Sequence, residues 1–241
     1  MELNGAVVLV TGASGGIGLA AARLMAAKGA KVALAARSAE ALEQLSAELP
    51  GSLAVPTDMT DEAAVRSMVR AVQDHYGRLD VLVNNAGRGM HVPFEQIDLA
   101  GYRSLLELNV VSVVGAMQAA IPGMRAQGGG MVVNVSSGTT KMILPGVATY
   151  SSSKHALNNL SHVAHAELAK DNIRVSVVYP FITETNFAAA ASAGNPQPQS
   201  GRPSMPGDTA EYAGGLIVEA IETEQAEVYA EAVKRMGQPR T

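Results

Sequence analysis

The sequence contains no cysteine and no tryptophan. The first absence removes disulfides, thiol nucleophiles and cysteine-ligated zinc from consideration. Charge of one sign is not in excess either: 18 Lys+Arg against 22 Asp+Glu leaves a formal net charge of −4. Broad attraction to nucleic acid or to an anionic membrane surface is therefore not expected. No basic segment precedes the first apolar run, because Met1 is followed by Glu-Leu-Asn and glycines interrupt the run just past Val10. A signal peptide has the opposite pattern. No uninterrupted apolar stretch approaches the ~18 residues that span a bilayer. By default these absences point to a cytoplasmic protein with no membrane partner.

What is present is enough apolar material for a large core: 47% of 241 residues are hydrophobic, which argues against disorder. Short, almost wholly apolar runs recur at Ala6–Val10, Lys31–Ala36, Leu53–Val55, Leu79–Val83, Met131–Val135, Arg174–Val178 and Glu227–Tyr229. Such runs read as strands buried on both faces. Between them lie helical patterns at Gly16–Lys28, Ala39–Leu49, Asp61–Tyr76, Leu99–Arg125, Tyr150–Lys170 and Asp208–Glu222. Asp61 and Asp208 are expected N-caps, and Gly29 and Gly77 expected helix ends. The alternation predicts an α/β fold with a doubly wound parallel sheet of about seven strands, a Rossmann-type architecture, as one domain over residues 1–241. One region breaks the rhythm. Residues 186–207 are rich in alanine, then in proline and glycine, neither of which suits a regular element. They are a plain surface loop or a mobile substrate lid, and their place after a strand's carboxyl end favours the lid.

The most specific local signal follows the first strand. Thr11-Gly12-Ala13-Ser14-Gly15-Gly16-Ile17-Gly18 makes a glycine-rich turn that opens a helix. Such a turn lets backbone approach a phosphate closely, and the helix N-terminus offers free N–H groups. A P-loop is excluded because no Lys-Ser or Lys-Thr follows the last glycine. At the end of the second strand, an acidic residue would hold the ribose hydroxyls of NAD and repel a 2′-phosphate. Ala36 stands there, followed by Arg37 and Ser38. A guanidinium pairs well with phosphate, which favours NADP(H) over NAD(H).

Tyr150 and Lys154 are four residues apart at a predicted helix start, hence on one helical face. A free phenol with a pKa of about 10 is a poor base at neutral pH, and a neighbouring ammonium lowers that value. Alone, the pair is equally an ordinary surface contact. Together with its surroundings the sequence resembles the short-chain dehydrogenase/reductase family, in its shorter single-domain branch. The glycine turn matches the family's T-G-x-x-x-G-x-G, Asn84-Asn85-Ala86-Gly87 its N-N-A-G, and Tyr150-Ser151-Ser152-Ser153-Lys154 its Y-x-x-x-K. Asn109 and Ser137 fall at the family's usual distances before the tyrosine.

The resemblance implies roles. Tyr150 is the proton donor or acceptor. Lys154 also binds the nicotinamide ribose, Ser137 rather than Ser136 holds the substrate oxygen, and Asn109 keeps a water in a relay to Lys154. Gly12, Ala13, Ser14, Gly15, Gly16, Ile17 and Gly18 cradle the pyrophosphate. Asp58, with Met59 beside it, receives the adenine amino group. Asn85, Ala86 and Gly87 line the adenosine ribose, and Pro180 to Thr185 hold the carboxamide through Thr183 and Thr185. In that last segment the family usually has glycine after the proline, and Phe181 stands there instead. Its ring is expected to disturb the local backbone and narrow the pocket.

The implied activity is hydride transfer between NADP(H) and an apolar carbonyl or alcohol. Met90, Met142, Ile143, Leu144, Phe181 and Phe187 are candidate pocket residues, and His91 stands at the mouth. A non-catalytic NADP(H)-binding redox sensor is the alternative from another class. A ketoacyl-carrier-protein reductase is the alternative within enzymes, with Arg88, Arg103, Lys141 and Arg202 as candidate carrier contacts. His162 and His165 are three apart but lack a third ligand nearby, so no metal is expected. A homodimer through the Leu99–Arg125 and Tyr150–Lys170 helices is expected, with a homotetramer as the alternative. Where many members of that family have a glycine-containing strand and tail, Val228-Tyr229-Ala230 is followed here by Glu231–Lys234 and a short polar tail.

Overall fold

The computed structural model describes residues 1–183 and 207–236. Seven strands form one parallel sheet: β1 (Val7–Thr11), β2 (Lys31–Ala36), β3 (Leu53–Pro56), β4 (Val81–Asn84), β5 (Gly130–Val135), β6 (Ile173–Tyr179) and β7 (Glu227–Tyr229). Their order is β3-β2-β1-β4-β5-β6-β7. The expected doubly wound architecture is thus the one found. The order reverses between β1 and β4, and a parallel sheet opens a crevice at the carboxyl ends there.

Side chains alternate across the sheet as the pleat requires. Val8 and Val10 of β1 join one core cluster with α1 (Gly16–Ala27), α2 (Ala39–Glu48) and α7 (Ala210–Thr223). Val7 and Leu9 join the opposite cluster with α3 (Glu62–Tyr76), α5 (Ser112–Ala126) and α6 (Ala148–Leu168). Each fully buried leucine or valine contributes about 1.5–3 kcal/mol of hydrophobic stabilisation.

Several boundaries differ from the sequence expectation. Asp61 does cap α3, accepting from the N–H groups of Ala63 and Ala64. Asp208 does not cap α7; Thr209 does, through its hydroxyl and the Tyr212 N–H, while Asp208 forms an isolated parallel bridge with Thr183. The expected single helix after Leu99 is α4 (Leu99–Leu106), a π-helical turn (Glu107–Val111) and α5 in continuous succession. This run, Leu99–Ala126, is by length and composition long and apolar enough to cross a membrane, its most apolar 18-residue window having a mean hydropathy of 1.5, although Arg103, Glu107 and Asn109 interrupt it so that it is not an unbroken apolar stretch. One side of it, including Val113, Ala116 and Met124, is buried in that second cluster, and Leu105 is fully buried as well. After Ala230, Glu231–Met236 forms a short helix, α8, whose Val233 is buried.

Candidate active site

The glycine turn sits at the carboxyl end of β1. Gly12 has φ +66°, and a Cβ there would lie 3.0 Å from the Ala86 Cα. A Cβ on Gly18 would lie 2.4 Å from both the Gly12 carbonyl oxygen and the Asn85 Nδ2. Only glycine fits either place. Gly15 precedes α1 with no side-chain cap, and the first turn of α1 carries no acid. Nothing lies within 4 Å of where a Gly15 Cβ would be. Ala13 is buried, Ser14 is exposed, and Gly16 and Ile17 are half-buried at the start of the helix. An uncapped helix N-terminus with open space before it fits the pyrophosphate of a dinucleotide.

The N-N-A-G segment buckles onto this turn. Asn85 Nδ2 donates to the carbonyls of Thr11 (2.9 Å) and Gly12 (3.2 Å). The N–H groups of Asn85 and Ala86 both donate to Thr11 Oγ1 at 3.0 Å. Asn85 therefore acts on the turn from inside. Thr11 anchors two backbone groups, a role its place as first letter of the motif could have signalled. Asn84 turns into the core, donating to Asn134 Oδ1 at 2.8 Å, and Asn134 in turn donates to Ser161 Oγ.

At the end of β2, Arg37 is exposed. Ser38 caps α2, accepting from the Ala41 N–H. Asp58 lies after β3 and accepts from the Thr60 N–H and hydroxyl. Those bonds hold its carboxyl below the usual range against the opposing effect of burial, with a lesser contribution from the charge of Arg37. Arg37 and Asp58 thus flank the same corner of the crevice. Met59 is buried beside them.

The tyrosine end lies across the crevice, where β5 leads to Ser137 and α6 carries Tyr150 and Lys154. Ser137 Oγ accepts from the Thr139 N–H (3.2 Å) and the Thr139 hydroxyl (3.0 Å). Its own hydroxyl hydrogen-bonds the Tyr150 phenol. Ser136 is excluded from the site: it is buried and donates to Asn158. Lys154 is buried and donates to the Val135 carbonyl at 2.8 Å, with Nζ 5.9 Å from the centre of the Tyr150 ring.

The proton affinities differ from the sequence expectation. Burial pushes Tyr150 up to about 12, and the Ser137 hydrogen bond opposes this without reversing it. Burial lowers Lys154 to about 8. The ammonium therefore does not bring the phenol toward neutrality in the protein alone. Desolvation of the phenolate outweighs it.

Asn109 occupies the π turn and is fully buried. Its Oδ1 accepts from the Arg88 N–H (3.0 Å), while Nδ2 donates to the Arg88 carbonyl (2.9 Å) and Ser153 Oγ (3.1 Å). Ser153 in turn donates to the Tyr150 carbonyl. Ser153 is a link the sequence did not single out. Gly87 completes this corner, since a Cβ there would lie 3.2 Å from Asn109 Oδ1 and 3.6 Å from Lys154 Nζ.

Pro180 and Phe181 follow β6. The Pro180 carbonyl accepts from the Gly138 N–H at 2.7 Å. Phe181 has no positive φ, as its side chain requires, but its ring does not stand in the pocket as expected. It is buried in the core with Val233, and its Cδ2 lies 3.5 Å from the position of a Gly138 Cβ. Thr183 donates its hydroxyl to the Phe181 carbonyl. Thr185, Phe187, Arg202 and residues 186–206 of the expected lid lie outside the described residues. Met90 is buried. His91 packs on Gly146, and the Val92 N–H donates to the Gly146 carbonyl at 2.8 Å, tying two loops of the mouth together. His162 meets Glu227 and His165 the Val175 carbonyl.

A phosphate cradle at the switch point of a parallel sheet, faced by a serine, a tyrosine and a lysine, defines a nicotinamide-dependent oxidoreductase. The chain belongs to the short-chain dehydrogenases: the family of that description matches residues 6–196. Its members bind NAD(P) and act in general on CH–OH groups. Granaticin polyketide synthase putative ketoacyl reductase 2 of Streptomyces violaceoruber is 38% identical over 226 residues, covering 88% of this chain and 89% of that protein. A short-chain dehydrogenase of Burkholderia cenocepacia, solved in complex with NADP, is 28% identical with a TM-score of 0.84, covering 99% of this chain and 93% of that one. A further structure, from Burkholderia phymatum in complex with NAD, shares the fold at 24% identity and a TM-score of 0.85, covering 97% and 93%.

Proposed function

We propose that the protein reduces a ketone or aldehyde with NADPH and oxidises the corresponding alcohol in reverse. The observation that carries this reading is the Ser137–Tyr150 hydrogen bond at the crevice, with Lys154 buried behind it on the same helix. Bound NADPH supplies the hydride, an electron pair delivered to the carbonyl carbon. The protein supplies the rest. Ser137 donates to the carbonyl oxygen as negative charge grows there, a contribution often near 3 kcal/mol of barrier. Tyr150 gives its proton to that oxygen, so the alcohol leaves neutral. A phenol raised to about 12 is fully protonated at neutral pH, the state that reduction needs. Lys154, lowered to about 8, is still mostly protonated at pH 7 and returns a proton toward the phenolate. Asn109 holds the Arg88 backbone and α6 in register for this.

The preference for NADP(H) rests on Arg37 at a strand end that lacks an acid, with Ser38 beside it, since similar solved structures hold either cofactor. We place Asp58 and Met59 at the adenine, Ala86 and Gly87 at the ribose, and Pro180, Thr183 and Thr185 at the carboxamide. The same reading takes the enzyme as a cytoplasmic homodimer. Exposed Val111, Leu160 and Val163 on the paired long helices supply an apolar face for that contact. The name of the Streptomyces violaceoruber relative fits carbonyl reduction. The test is NADPH oxidation at 340 nm across a panel of ketones and aldehydes. Turnover of at least one class is expected. Tight NADPH binding without turnover across the panel would favour a redox sensor.

A further inference from the structure

Beside the candidate active site lies a groove of about 460 Å³ that the proposed chemistry leaves unused. This is the size range of a small-molecule site. Its walls are the direct continuations of the two segments that carry the reacting groups. Thr140 to Leu144 follow Ser137, and Ser151 follows Tyr150. Ser151 Oγ donates to the Thr139 carbonyl at 3.2 Å, so the two walls are joined where they leave the site. The apolar part of the lining is Met142, Ile143, Leu144 and Val147. Ile143 is 99% exposed. An isoleucine held wholly in water beside a cleft has apolar surface to give to a ligand.

The one permanent charge of the polar part is positive, that of Lys141. Lys141 and His155 line the groove, and no aspartate or glutamate does among the described residues. Lys141 makes no ion pair among the described residues. Its ammonium lies 5.2 Å from the Tyr179 ring centre and 5.4 Å from that of Tyr229. Those rings stack on each other with centres 4.4 Å apart. Both distances are within cation–π reach, an attraction that holds the ammonium in place without neutralising its charge. The carboxylate of that cluster, Glu227, already accepts from the Tyr179 hydroxyl (2.7 Å) and His162 (3.0 Å). On the other wall, His155 donates its Nδ1–H to the Ser151 carbonyl at 2.8 Å, so its Nε2 can donate to an anion only in the imidazolium form.

We propose that this groove holds the tail of the substrate, and that the tail is an aliphatic chain ending in an anion. The chain lies along Met142, Ile143, Leu144 and Val147, and the anion meets Lys141 with His155 beside it. The substrate class is then a carbonyl compound whose reacting oxygen reaches Ser137 and Tyr150 while an acidic head is held at a distance. This inference rests on the hydride-transfer reading of the same site.

The experiment compares methyl-ketone carboxylates of increasing chain length with their methyl esters, with methyl-ketone alkyl phosphates, and with short neutral ketones. For the wild type, kcat/KM should rise about threefold per added methylene until the groove is filled, and the acid should exceed its ester about tenfold. The better of carboxylate and phosphate identifies the head group. Lys141→Met should remove the acid's advantage and leave the ester and the short ketones within twofold. Ile143→Ser should flatten the length series for acid and ester alike. Calorimetry with saturated carboxylates, which cannot react, should show binding weakened about tenfold by Lys141→Met and unchanged by Tyr150→Phe. Equal losses for acid and ester, or a flat wild-type length series, would overturn the groove assignment. Failure to turn over any ketone while saturated carboxylates still bind would instead overturn the hydride-transfer reading.

Discussion

At the glycine-turn end of the crevice the chain contributes backbone, whereas at the tyrosine end it contributes side chains that carry protons. The first end is defined by close approach: Gly12 and Gly18 have no room for a Cβ, and Asn85 and Thr11 lock the turn through four hydrogen bonds. The second is defined by desolvation, which moves Tyr150 up to about 12 and Lys154 down to about 8. Steric fit and proton affinity are different kinds of constraint. Substitutions should therefore separate affinity from turnover.

The sharpest separation is Tyr150→Phe. It should lower kcat about 1000-fold and leave NADPH affinity within twofold, as read by cofactor fluorescence. Retained turnover would remove the proton-donor role. The mirror image is Gly18→Ala, whose new methyl meets the Gly12 carbonyl. It should weaken NADPH about 100-fold, the effect of about 3 kcal/mol of strain, while kcat at saturating cofactor stays near that of the wild type. Unchanged affinity would mean that the turn has slack that the 2.4 Å approach denies.

A third measurement tests the desolvation argument without any substrate. The Lys154 pKa is lowered from 10.5 to about 8. Between those values the unfolded chain holds a proton that the folded chain has released, so stability rises with pH across that window. Tyr150 acts in the opposite sense only above its ordinary value of 10.0. From pH 8 to pH 10 the Lys154 contribution should be about 2 kcal/mol. Urea unfolding of Lys154→Met should lack that rise; the same rise in both proteins would show that the amine is not desolvated. The smallest effect concerns the exposed Arg37. Arg37→Ala should weaken NADPH about tenfold and leave NADH unchanged in parallel titrations. Equal losses would put the guanidinium elsewhere than the 2′-phosphate.

The glycine-turn end was legible in the sequence because glycine reports backbone geometry directly, and the seven apolar runs reported the sheet because parallel strands are buried on both faces. What stayed hidden depends on partners far away in the chain. The π turn around Asn109 has no composition of its own. Asp208 and Thr209 are both good caps, and the choice falls to Thr209 as the Asp208 N–H is taken by the Ile182 carbonyl. Phe181 looked disruptive beside Pro180, yet its ring has a place against Val233 and Gly138. The Tyr150 proton affinity depends on how deeply the helix is covered, which the four-residue spacing does not report.

Val233 carries one more implication. Its Cγ2 lies 2.6 Å from where a Gly138 Cβ would be, so it fills the space under the turn that presents Ser137. A chain made from its N-terminus has this turn long before its support, because Val233 comes 233 − 138 = 95 residues after Gly138. The glycine turn waits only for Asn85, whereas the reactive serine waits for a far more distant partner.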